Sequence, residues 1–131
     1  MKEVKEMATR SFISIKNPDG TYTGIYCHWD GYPEYTGRIL KEYYNTKEKV
    51  YELISHGSAS YIAPEIGEKN DFNNPDDRYC LFYHRDRGDD WENVKPKHFT
   101  SFRDLVNWAR YVWCDYLYVF EDDHWDVHEL S

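Results

Sequence analysis

The order of elements that the sequence predicts, β-β-α-α-β-(β)-α-β-β, places this chain in the α+β class. Two observations carry that assignment. Alternating, β-rich segments joined by tight turns open and close the chain, which is the pattern of antiparallel hairpins. The regular βαβ alternation of a parallel sheet is missing between them. We therefore expect a mainly antiparallel sheet with the helices packed on one face.

Residues 1–7 read as a charged, flexible extension, and 8–131 as a single domain. Arg10 to Lys16 (RSFISIK) alternates and forms the first strand. Asn17-Pro18-Asp19-Gly20 is a strong turn signal, because Pro presets one dihedral and Gly accepts a positive one. Thr21 to Trp29 returns as the second strand, with Ile25, Cys27 and Trp29 on one face and Tyr22, Tyr26 and His28 on the other. Pro33 to Tyr44 predicts a helix, Pro33 suiting its first turn and Ile39, Leu40 and Tyr43 forming its apolar stripe. Thr46 caps a second helix, Lys47 to Ser55, with Gly57 as its stop. Ser58 to Asp77 is rich in Gly, Pro, Asn and Asp and reads mostly as loop. Arg78 to His84 predicts a third strand, Arg85 to Glu92 a charged turn, and Asn93 to Phe99 a Pro-containing edge strand. The clearest helix is Ser101 to Trp113, opened by a capping-box-like Ser101/Asp104 pair. Its stripe of Phe102, Leu105, Val106, Ala109, Val112 and Trp113 is expected to face the sheet, opposite Ile13, Ile15, Ile25 and Leu81. Tyr116 to Phe120 and His124 to Val127 close the chain as a hairpin.

The 131 residues carry 24 Asp and Glu against 16 Lys and Arg, a net charge of -8. A non-specific grip on a phosphate backbone needs a basic footprint, so direct nucleic-acid binding is not expected. The 13 Tyr, 5 Trp and 6 Phe make 18% of the chain, far too aromatic for a disordered protein. They exceed what one small core readily buries. Some are expected to line a pocket or a subunit interface, most simply that of a two-fold dimer. No apolar run approaches a membrane span, and the N-terminus lacks the apolar core of a signal peptide. Three separated cysteines, odd in number and without a C-x-x-C pair, suit buried thiols in the cytoplasm.

The densest pattern is Tyr26-Cys27-His28-Trp29-Asp30-Gly31-Tyr32-Pro33-Glu34, at a strand-to-helix junction. A helix start suits an anion, and His28, Trp29, Asp30 and Tyr32 offer hydrogen-bonding groups and flat stacking surfaces, with Arg38 one turn along and Arg10 on the preceding strand. The alternative is a rigid corner with Trp29 in the core and Asp30 capping the helix. A second pattern, His84-Arg85-Asp86-Arg87-Gly88-Asp89-Asp90, places two guanidinium groups and an imidazole where they suit phosphate. Its alternative is a solvated turn in which Arg85 and Arg87 pair with the neighbouring aspartates. His124, Asp126 and His128 alternate on a terminal strand and form a weaker candidate for a divalent metal. No nucleophile elbow, P-loop or dinucleotide fingerprint is present. Cys27 and His28 point to opposite faces, so no activated thiol is expected.

The segments Thr9-Arg10-Ser11, IYCHWDGYPEYTGRIL, Pro64-Glu65-Ile66-Gly67 and YHRDRGDD together resemble a family of small phage and prophage proteins. The resemblance runs from Ala8 to about Val127. It implies a phage accessory context, in which small proteins often counter host defence. Three functions follow as expectations. The first is a non-enzymatic protein, without cofactor or metal, that sequesters a nucleotide-derived immune signal through Arg10, His28, Trp29, Asp30, Tyr32, Arg38, His84, Arg85 and Arg87. The second is an acidic protein–protein inhibitor that mimics nucleic acid. The third is a metal-dependent hydrolase.

Overall fold

A computed structural model of the chain describes residues 8–130; the expected N-terminal extension, 1–7, lies outside them. Strands β1 (Ser11–Lys16) and β2 (Tyr22–Cys27) form the predicted antiparallel hairpin at the centre of the sheet. The Asn17 side chain braces its turn by donating to the Thr21 and Thr23 hydroxyls. On one side, β6 (Tyr116–Glu121) runs parallel to β1, and β7 (His124–Glu129) antiparallel to β6. On the other, β3 (Ala59–Tyr61) is parallel to β2 and β4 (Leu81–Phe82) antiparallel to β3. The sheet order is β4-β3-β2-β1-β6-β7, mainly antiparallel, and β5 (Lys97–Phe99) pairs separately with β2.

The outer edge of β2 is thus divided. Tyr22, Thr23 and Gly24 pair with Phe99, His98 and Lys97 of β5, whereas Cys27 pairs with Ala59 of β3. Between these two short ladders Ile25 and Tyr26 have no strand partner on that side among the described residues.

Helices cover both faces of the sheet, not one. Ile13, Ile15, Ile25 and Cys27 pack beneath a π-helical turn (Pro33–Gly37), α1 (Arg38–Tyr43) and α2 (Lys47–Ile54), through Ile39, Leu40, Val50, Leu53 and Ile54. Phe12, Leu117 and Val119 point the opposite way and meet Leu105 and Ala109 of α5 (Phe102–Tyr111). The reason is the alternation of β1 and β6, which are apolar at both odd and even positions, as fully covered strands are. The α5 stripe therefore packs on Phe12, Leu117 and Val119, not on Ile13, Ile15 and Ile25. Its two ends leave the core: Phe102 is 39% and Trp113 77% exposed.

The expected strand Arg78–His84 keeps only Leu81 and Phe82. The Asp86 carboxylate accepts the backbone N–H of Phe82, and the chain turns into α3 (Tyr83–Arg87). Gly88, at φ 84°, ends that helix: its N–H returns to the His84 carbonyl and that of Asp89 to the Tyr83 carbonyl. The expected charged turn is thus largely helical, since Asp90 caps a further short helix, α4 (Trp91–Val94). The loop before β4 is wound around Asn70, whose amide donates to the carbonyls of Asp76, Tyr79 and Cys80. Among the described residues, no helix is long and apolar enough to cross a membrane.

A cation-lined cavity beside the divided strand edge

The gap between β5 and β3 opens into a cavity of about 560 Å³ on the α5 face. That volume lies within the usual range for small-molecule sites, roughly 300–1,000 Å³. Tyr26 of β2 and Arg10, just before β1, form one wall. Tyr83 and Arg87 of α3 form a second, with Asp89 behind them. Lys95, Lys97, Trp108 and Trp113 complete the rim. Four cationic side chains and one carboxylate line this space, in a protein whose net charge is -8.

Each wall is held by its own contacts. The Arg10 backbone exchanges hydrogen bonds with Asp115, donating to its carboxylate and accepting from its N–H. The positive charge of Arg10 acts on the Tyr26 hydroxyl from nearby and favours its ionised form. Burial pushes that hydroxyl up to about 12, against the opposing pull of Arg10, so it stays protonated at neutral pH. The same hydroxyl shares a 2.7 Å hydrogen bond with His28 Nδ1. Burial also raises the Tyr83 hydroxyl, opposed by a hydrogen bond with Ser60. Arg87 stacks 4.6 Å from the Tyr83 centroid and 4.9 Å from that of Phe72, and its guanidinium forks onto Asp89 at 2.8 and 2.9 Å. Hydrogen bonding to Arg87 holds the Asp89 carboxyl below its ordinary value. Lys97 Nζ lies 4.6 Å from the Trp108 centroid, a cation–π contact that occupies one ring face. This arrangement can hold an anion that also carries a flat ring.

Of the residues singled out in the sequence, Arg10 and Arg87 line the cavity, and His28 touches it through Tyr26. Trp29 packs edge-on against His28, 4.8 Å away, and is 39% exposed. The HWDGYPE segment forms a tightly bonded corner outside the cavity. Thr36 Oγ1 donates to the Asp30 carbonyl, and the Tyr32 carbonyl accepts from the N–H groups of Tyr35 and Thr36. The Gly31 N–H donates to the Thr9 carbonyl, and the buried Tyr118 hydroxyl to the Gly31 carbonyl. A Cβ at Gly31 would come within 2.8 Å of both the Thr9 carbonyl oxygen and the Ser11 Cβ, so only glycine allows this approach. The corner thereby fixes the segment that carries Arg10. No side chain caps the helical turn, and Trp29 is half-exposed, so Asp30 and Trp29 do not fill the capping and core roles of the rigid-corner alternative. Arg38 pairs with Glu42 at 3.4 Å on the solvent side of α1.

The two arginines of the second pattern diverge. Arg85 turns inward, 14% exposed, and donates to the carbonyls of Ile66, Gly67 and Cys80 and to the Asp86 carboxylate. His84 packs on Trp91, with Nδ1 2.8 Å from the Asp89 carbonyl oxygen, outside the cavity. His124 Nε2 meets Asp126 Oδ1 at 3.2 Å while His128 packs on Phe102. Among the described residues, no three His, Cys, Asp or Glu side chains converge so as to hold a metal ion.

Sequence reasoning missed Tyr26, Tyr83, Lys95, Lys97, Trp108 and Trp113 as a set. The one legible signal was Lys95-Pro96-Lys97, two cations beside a proline in an acidic chain. No family model, curated protein or solved structure matches this chain.

Proposed function

We propose that this chain is a non-enzymatic binding protein that captures a small, nucleotide-derived anion, the chemistry of an immune signal in a phage-infected cell. The observation that supports it is the charge reversal at the cavity, within a strongly acidic protein: Arg10, Arg87, Lys95 and Lys97 line it with a single lining carboxylate, Asp89, which pairs with Arg87, while Lys95 pairs with Glu92 at 2.8 Å and Arg10 and Lys97 carry the surplus. Charge-assisted hydrogen bonds contribute roughly 1.5–3 kcal/mol each, and a stacked base about 1–3 kcal/mol. Two of the former and one of the latter give about 4–9 kcal/mol before the cost of association. Preorganisation decides whether that suffices, and the bonds anchoring Arg10 and Tyr26 provide it. Action in the host cytoplasm and self-association into a dimer or higher oligomer belong to the same proposal; light scattering reads the second directly.

The test is capture and release. Purified protein is exposed to lysate from defence-activated cells, washed and denatured, and the released small molecules are identified by mass spectrometry. A nucleotide returned intact by the wild type, and absent from the Arg10→Ala/Arg87→Ala variant, is the expected result. No released ligand, or one recovered only as its hydrolysis product, would overturn the proposal.

A further inference from the structure

Helix α5 ends in a Schellman motif. The N–H of residue 113 returns to the Arg110 carbonyl at 3.0 Å, and that of Cys114 to the Ala109 carbonyl at 2.9 Å. The motif requires a left-handed residue, and glycine is the usual occupant. Gly88 takes the equivalent seat at the end of α3, with φ 84°. At the end of α5 the seat holds Trp113, with φ 66°. A bulky side chain there is strained, and the strain is not offset by burial, because the side chain is 77% exposed. It stands on the rim of the cation-lined cavity. The other rim rings are engaged: Lys97 lies over Trp108, and Arg87 over Tyr83. Among the described residues, no ring or cation stacks on Trp113.

We propose that Trp113 is the stacking platform for a nucleobase, so that the cavity takes a base and its phosphates together rather than a bare phosphate. The left-handed backbone holds the indole out from the helix end, and Arg10 and Lys97 line the same cavity. This inference rests on the anion-binding reading above and adds the residue on which the ligand's base stacks.

The probes are ATP and inorganic triphosphate, which share a phosphate chain and differ by the nucleoside. Calorimetric titration of the wild type should give tighter binding of ATP. Trp113→Gly should weaken ATP by about 5- to 150-fold, leave inorganic triphosphate unchanged, and unfold at the same temperature as the wild type or higher. Trp113→Asn, which also tolerates the left-handed region, should behave as Trp113→Gly does, and Trp113→Phe should retain most of the ATP affinity. Equal binding of the two probes by the wild type, or an unchanged ATP affinity in Trp113→Gly, would overturn the stacking role while leaving an anion site in place. Loss of both probes in both the Gly and the Asn variants would assign Trp113 to the structure of the cavity instead. A wild type that binds neither probe would overturn the anion site itself, and this inference with it.

Discussion

Arg85 and Arg87 stand two residues apart, and the structure assigns them opposite consequences. The Arg85 guanidinium makes five hydrogen bonds, to the Ile66, Gly67 and Cys80 carbonyls and twice to Asp86. The Asp86 side chain is fully buried and also accepts the N–H groups of Asn70 and Phe82. Truncation to alanine leaves a buried carboxylate without its cation and three inward carbonyls short of a donor. Removing one partner of such a pair costs about 3–5 kcal/mol. That is a large fraction of the 5–15 kcal/mol typical of a whole domain. Arg85→Lys should recover less than half, because a single ammonium cannot serve acceptors on both sides as the guanidinium fork does. Arg87 pairs with Asp89 at the surface, with 51% of its side chain exposed, and lies over two rings. Its removal should cost only about 1–2 kcal/mol, the sum of a weak exposed ion pair and modest cation–π contacts. The assay is urea denaturation of the three variants, comparing midpoints at constant m-value. An Arg85→Ala variant within 1 kcal/mol of the wild type, or one less destabilised than Arg87→Ala, would refute the assignment.

Leu105→Ala should cost about 2–5 kcal/mol, since Leu105 is fully buried against Phe12, Leu117 and Val119; thermal unfolding checks it. Tyr26→Phe removes the hydroxyl that bonds His28 and feels the charge of Arg10, and should weaken anion binding about 3- to 10-fold while changing stability by about 1 kcal/mol. Burial raises the Tyr26 and Tyr35 hydroxyls from 10.0, and the Cys27 thiol from 9.0, to about 12. Groups raised on folding stabilise fully below their unfolded values and lose that contribution as pH climbs through the folded ones. Stability should therefore fall between pH 9 and about 12, with tyrosinate absorbance rising together with loss of circular dichroism rather than before it.

Local chemistry made much of the fold legible. Thr46 and Ser101 cap α2 and α5 as their residue types predict, each accepting an N–H from three residues on. The Asn17–Gly20 turn and both hairpins follow from alternation and turn residues. What was hidden depends on contacts distant in sequence. Arg78 to His84 has strand propensity throughout, yet the Asp86 carboxylate captures the Phe82 N–H and starts a helix, and nothing in a β-rich heptapeptide announces that. The same holds for the site. Arg85 and Arg87 are indistinguishable as letters, and only the path of the loop around Asn70 sends one inward and one to the cavity. Trp113 matches the periodicity of the α5 stripe yet leaves the core, because the helix stops at Tyr111, two residues before the pattern does.

The parallel ladder between β1 and β6 joins the two ends of the chain, pairing Ser11 with Tyr116 and Ile15 with Phe120. Arg10 is anchored by Asp115, so the cavity wall at the start of the sequence is set only after its end has been made. A chain that stops short of residue 115 lacks this wall, and the central ladder must wait for a loop of about a hundred residues to close, the slow kind of closure. A ligand of the proposed kind would then act as a clasp on the folded molecule. Bound by the folded chain and not by the unfolded one, at a hundred times its dissociation constant it adds about 2.7 kcal/mol to stability. A chain without β6 and β7 loses the ladder and the strand that follows the Asp115 anchor of Arg10.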